Sequence, residues 1–101
     1  MCGISGFLGF NQLYKVDKII HSMNNKLFHR GPDDGNIFID EEKQLALAHR
    51  RLSIIDLSPQ GSQPMKSQNS DYVISFNGEI YNQLQIKKEI NLIKPGFVWK
   101  G

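Results

Sequence analysis

The apolar positions fall into runs of different period. Residues 3 to 10, Gly3-Ile4-Ser5-Gly6-Phe7-Leu8-Gly9-Phe10, are glycine and apolar residues with one serine. That composition predicts a short buried strand where another backbone comes close, with the extreme amino terminus inside the protein. Val16, Ile19, Ile20, Met23 and Leu27 keep the i, i+3, i+4, i+7 spacing of a helix packed on one face. Gly31-Pro32 ends that helix, and Asp33-Asp34-Gly35 predicts a tight turn into a strand over residues 36–40. Residues 44–48 and 52–57 read as two further strands joined through the polar knot His49-Arg50-Arg51. Residues 58–71, rich in Ser, Gln, Asn and Pro, read as a long loop. Tyr72 to Phe76 is a nearly all-apolar, β-prone run interrupted by Asn77-Gly78, and a second, weaker helix is expected over residues 82–92. The chain ends after Phe97-Val98-Trp99 with no polar tail, which we read as part of something longer.

Composition narrows the class. At 101 residues, 40% hydrophobic and 22% charged, the chain is ordinary globular protein with room for one modest core. A single cysteine makes no internal disulfide, so a reducing compartment, the cytoplasm, is the expected home. The net charge of +2 is mild and its cations are dispersed, so charge names no partner. No window approaches the roughly 20 apolar residues of a membrane span, and Met1 to Phe10 lacks the basic region of a secretion signal. Neither membrane nor nucleic acid is an expected partner, because the basic residues carry no aromatic interleaving.

Candidate chemistry begins with Cys2. Removal of Met1 leaves it with both a thiol and a free α-amine, whose ordinary pKa of about 7.7 to 8.0 suits a general base near neutral pH. Nucleophiles activated by their own terminal amine run acyl transfer. By position alone the commoner reading is a small buried strand residue. Asn77-Gly78 likewise has two readings. It is the strongest short signal for a hairpin turn, yet Glu79-Ile80-Tyr81-Asn82 resumes no alternating strand, and an Asn amide beside a Gly N–H is a donor pair fit for an oxyanion. An arginine among His49-Arg50-Arg51 or His29-Arg30 can take a carboxylate through two parallel hydrogen bonds, or can be a solvated charge. His21, His29, His49 and Cys2 lack the paired spacing of a zinc site, so no metal is expected.

Taken together, Met1-Cys2-Gly3-Ile4, Arg30-Gly31-Pro32-Asp33, His49 to Leu57, Gln63-Pro64-Met65 and Phe76 to Asn82 resemble the class II glutamine amidotransferases. The Arg51 and Asn77 segments are similar to the glutamine-hydrolysing asparagine synthetase branch. The resemblance implies an α+β fold, part of an N-terminal-nucleophile hydrolase sandwich of antiparallel sheets between helical layers. Residues 1–101 would be the N-terminal part of the glutaminase domain, with the rest of it and a synthetase domain absent. It implies Cys2, Asn77 and Gly78 as catalytic residues, the last two holding the oxyanion. Glutamine would be bound by Arg51 at its carboxylate, by Leu52, Ser53, Ile54 and Ile55 along the pocket, and by Asn77, Gly78 and Glu79, with Glu79 on the ammonium. By the same resemblance the glutaminase step would need no cofactor, and ATP and magnesium would belong to the synthetase domain, which would use the ammonia to amidate aspartate. Other readings are amidation of another carboxylate, such as a sugar acid in surface-polysaccharide synthesis, or a truncated binding module without turnover.

Overall fold

The computed structural model describes residues 2–11, 15–53 and 59–99. It is an α+β arrangement in which a three-stranded antiparallel sheet is built from β1 (Gly3–Leu8), β2 (Asp34–Asp40) and β3 (Leu45–Arg51), in the order β1-β3-β2. Gly3 pairs with Arg50 and Leu8 with Leu45 on one side of β3, and Asp34 pairs with Arg51 and Asp40 with Leu45 on the other. Helix α1 (Val16–Lys26) lies against all three strands.

Side-chain alternation explains the packing. Phe7 pairs with Ala46, and Ile37 and Ile39 pair with Ala48 and Ala46, so these residues share one sheet face. They meet Val16, Ile20 and Met23 of α1 and Phe10 in a single core, with Ile20 fully buried. The bare methyl groups of Ala46 and Ala48 let the helix sit close to the middle strand. Asp17 in the first turn and Lys26 in the last turn complement the helix dipole. The helix closes where Leu27 N–H donates to Asn24 O, and a 3₁₀ turn over Phe28–Arg30 leads to Gly31.

The structure corrects several sequence expectations. The first strand stops at Leu8, because Gly9 takes a left-handed φ of 80°. It is not wholly buried: Gly3 is, but Ile4 and Leu8, on the face away from α1, are exposed. The expected turn at Asp34-Gly35 is already β2, its ends paired with the basic knot. Most consequentially, His49-Arg50-Arg51 does not separate two strands but is the carboxyl half of β3, because its polar side chains find partners there. Arg50 Nε donates to Gly31 O at 2.8 Å and its guanidinium lies 4.9 Å from the Phe28 ring centre. The strand expected over 52–57 fails at Leu52 and Ser53, and its remainder lies outside the described residues.

The expected loop of 58–71 contains a 3₁₀ turn, Pro59–Gly61, and a two-residue strand, β4 (Met65–Lys66), which pairs antiparallel with β5 (Val73–Ile74). Only those two residues of the apolar run 72–76 form a strand. Helix α2 (Gln83–Ile93) buries none of its residues, and Trp99 folds back to donate from Nε1 to Asn91 Oδ1 at 3.3 Å. No helix among the described residues is long and apolar enough to cross a membrane.

Candidate active site

The carboxyl end of β3 gathers the chemistry. One step beyond the Gly3–Arg50 pair, half-buried Cys2 sits where the register runs out, and Leu52 N–H donates to its Sγ at 3.3 Å. The thiol in turn faces Leu52 O at 3.8 Å. Arg51 is buried, with only 8% of its surface exposed. A long cation tolerates that burial only when its donors are paired, and Arg51 makes contacts within the protein.

The Arg30-Gly31-Pro32-Asp33 segment braces this end. Arg30 Nε donates to Cys2 O at 3.1 Å, fixing the backbone of the thiol-bearing residue. Asp33 N–H donates to Arg51 O at 3.0 Å, and Asp33 Oδ2 accepts from Ser53 N–H at 2.8 Å. Pro32 lies alongside Arg51 in a parallel bridge. Gly31 is buried where a side chain would not fit: a Cβ there would lie 2.5 Å from Arg51 N and 2.6 Å from Arg50 O.

The Asn77-Gly78 segment reaches β3 from the other direction. Phe76, the preceding residue, accepts from His49 Nε2 at 3.1 Å through its carbonyl, and Ser75 Oγ donates to Ala48 O at 3.0 Å. The Phe76 N–H donates to Gln63 Oε1 at 2.6 Å. Asn77, Gly78 and Glu79 are themselves exposed and are not followed by a strand, so no hairpin forms at Asn77-Gly78.

Comparison with known proteins decides the family. A sequence-family profile described as a glutamine amidotransferase domain matches residues 1–100. The chain belongs to that family. It is 39% identical to a glutamine-hydrolyzing asparagine synthetase 1 of Bacillus subtilis, over 89% of this chain and 14% of the relative. It is also 39% identical to a glutamine-hydrolyzing asparagine synthetase of Zea mays, over 89% of this chain and 15% of the relative. With the one of Sandersonia aurantiaca it shares 35% identity over 99% of this chain and 18% of the relative. The amidotransferase chain thus spans about a fifth or less of the curated relatives it matches. No solved structure matches it.

Of the residues singled out in the amidotransferase sequence, the fold brings Cys2, Arg51, Leu52 and Ser53 together at one strand end, and hangs Asn77 and Gly78 from the same strand through Phe76. Glu79 is exposed on the stretch leading to α2. Ile54 and Ile55 lie outside the described residues. Sequence reasoning offered Arg30 only as a carboxylate binder or a solvated charge and gave no bracing role to Asp33, His49 or Gln63. The available signal was that all four stand within the motif segments themselves. Among the described residues no group of three His, Cys, Asp or Glu side chains could hold a metal.

His49 is 1% exposed and lies in the middle of this network. A carbonyl accepts, so Nε2 carries a proton. Nδ1 is buried without a hydrogen-bond partner among the described residues. Burial lowers the His49 pKa below its ordinary value; the Phe76 carbonyl opposes this, the Arg51 charge adds to it, and Asp34 opposes it. Because the folded pKa is depressed, the unfolded chain binds the proton first as pH falls. The wild-type midpoint in urea is therefore expected to hold above about pH 6.5 and fall as pH drops below it. Urea titrations between pH 5 and 7.5 measure this, and His49→Gln should flatten the slope. An equal slope in the variant would assign the titration to another group.

Proposed function

We propose that this domain hydrolyses the side-chain amide of glutamine to glutamate and ammonia, with Cys2 as the nucleophile once Met1 has been removed. Sγ attacks the amide carbon, and the proton it gives up passes through the α-amine to the leaving nitrogen. Ammonia departs and leaves a thioester on Sγ. Water then attacks that carbon, glutamate leaves, and the thiol regains its proton. In this reading the Asn77 side-chain amide and Gly78 N–H hold the oxyanion of both tetrahedral intermediates. Arg51 takes the substrate carboxylate, Glu79 takes the ammonium, and the segment from Arg51 to Ile55 would line the pocket. Opposite charges at the two ends of a zwitterion would distinguish glutamine from simple amides.

The observation that carries the reading is the seat of Cys2. The only thiol of a chain in this family lies at the strand end beside Arg51, with a backbone N–H directed at its sulfur. In keeping with the relatives, the ammonia would pass to a synthetase part outside these residues for amidation of aspartate to asparagine. The ATP and magnesium that activate the acceptor would belong there. The sandwich architecture of N-terminal-nucleophile hydrolases is part of the same proposal, with the three-stranded sheet as a portion of one of its layers.

Intact mass spectrometry before and after exposure to an electrophilic glutamine analogue tests the proposal. The expected result is loss of Met1 and one covalent adduct, mapped to Cys2 and suppressed by excess glutamine. A processed protein that forms no adduct would favour a binding module without turnover. Adduct formation that excess glutamine does not suppress would show a reactive thiol without a glutamine pocket.

A further inference from the structure

We propose that His49 and Gln63 are positioning residues that clamp the Phe76 backbone from both sides and thereby set the Asn77-Gly78 donor pair; the catalytic half of this inference rests on the glutaminase reading above. The two backbone polar groups of Phe76 are both satisfied by side chains. Its carbonyl takes the His49 Nε2 proton at 3.1 Å, and its N–H gives to Gln63 Oε1 at 2.6 Å. The two side chains come from different parts of the fold, His49 from the middle strand of the sheet and Gln63 from the segment before β4.

Regular structure does not hold this stretch. Strand β5 ends at Ile74, Phe76 is 39% exposed, and Asn77 and Gly78 are exposed. A polar backbone with no ladder samples many orientations unless specific bonds choose one. A donor pair is useful to an oxyanion only when it is already aimed where the charge develops. The clamp supplies that aim at its first possible point, the residue immediately before Asn77. His49 stands three positions before Leu52, the residue whose N–H meets Cys2 Sγ, which is about 10 Å of strand. β3 and the residue directly after it therefore carry both the mark for the nucleophile and the anchor for the oxyanion segment.

The chemistry of the two clamp residues fits this duty. Only the neutral imidazole is satisfied here, since the carbonyl needs one N–H and Nδ1 faces no acceptor among the described residues. Gln63 needs only an acceptor oxygen. Conservative replacements follow: Gln at position 49 retains an N–H donor, and Glu at position 63 retains an acceptor. Leucine at either position retains neither.

The experiment uses the full chain and two readouts. The first is steady-state glutamate release, resolved into kcat and KM for glutamine. The second is amide hydrogen exchange at Asn77 and Gly78 compared with exchange in β3. His49→Leu and Gln63→Leu are each expected to lower kcat about tenfold or more, with KM within about threefold, because misplaced donors act mainly on the transition state. Exchange at Asn77 and Gly78 should quicken while β3 stays protected. His49→Gln and Gln63→Glu should recover most of both losses. The double leucine variant should fall little below the worse single one, since both side chains hold one peptide unit.

Wild-type kcat and wild-type exchange at Asn77 and Gly78 in both leucine variants would overturn the proposal. So would a loss in which β3 protection falls equally and the conservative variants recover nothing, which marks a purely structural role. Should His49→Leu fail to fold, the half-buried Gln63 carries the test alone. A wild-type protein that releases no glutamate would sink the glutaminase reading instead, and the exchange data would still decide whether the clamp exists.

Discussion

Cys2→Ala is expected to abolish glutamate release and leave the fold in place. The effect on rate is large because no other group in the chain can form the thioester: Cys2 is its only thiol. Removing the nucleophile of an acyl-transfer enzyme costs about 10⁴-fold or more in kcat, whatever else remains in the site. The effect on stability is small because the polar partners of the sulfur among the described residues are the two backbone groups of Leu52, at 3.3 and 3.8 Å, and it sits half-buried. Losing a weak hydrogen bond of that kind costs about 1 kcal/mol or less. Enzymatic determination of glutamate, beside a thermal melt of the same preparation, separates the two effects. Undiminished turnover in the alanine variant would place the nucleophile elsewhere and sink the N-terminal-cysteine mechanism.

Gly31→Ala is expected to have the opposite profile, with a large loss of stability. The added Cβ would lie 2.5 Å from Arg51 N and 2.6 Å from Arg50 O, and both obstacles are main chain of the central strand. A flexible side chain could swing aside, but β3 is hydrogen-bonded on both edges to β1 and β2. The 30–33 segment must therefore be pushed away from β3. With it go the Pro32–Arg51 bridge, the Asp33 contacts to Arg51 and Ser53, and the Arg30 bond to Cys2. Overpacking of this kind costs about 3 kcal/mol or more. For a domain of this size that lowers the melting temperature by about 12 °C or more. Gly35→Ala makes a useful control, because the obstacle there is the end of the Arg50 side chain, which can rotate. Equal melting temperatures for the Gly31 variant and wild type would mean that the segment is not packed against β3 as described.

The contrast between these two sites shows what the sequence made legible. Helix α1 was readable because Val16, Ile20 and Met23 repeat at the helical period and do face the core. Cys2 and Asn77-Gly78 stood out in the sequence as candidates because few residue types can serve as nucleophile or oxyanion donor. The path of β3 was not, since His49-Arg50-Arg51 looks like punctuation to any rule built on hydrophobic runs. Its strand character depends on partners far along the chain, namely Phe76, Gly31 and Phe28. The bracing by Arg30 and Asp33 was hidden for the same reason. Their bonds go to backbone atoms of residues 2, 51 and 53, and a backbone atom leaves no trace in the identity of its residue. The expected strand at 72–76 failed at Phe76 because both of its backbone groups are claimed by side chains.

The order β1-β3-β2 also dictates the order in which the site can assemble. Strands β2 and β3 are joined by residues 41–44 alone, whereas β1 meets β3 only after the chain from 9 to 44 has closed on itself. Loop closure of the longer segment costs about 2 kcal/mol more in entropy, and pairings distant in sequence form later than local ones. The β2–β3 hairpin is thus the early product of folding, and β1 docks against its finished edge. Cys2 travels with β1. The chain consequently carries its single thiol unprotected through most of folding and seats it beside Leu52 in one of the final steps.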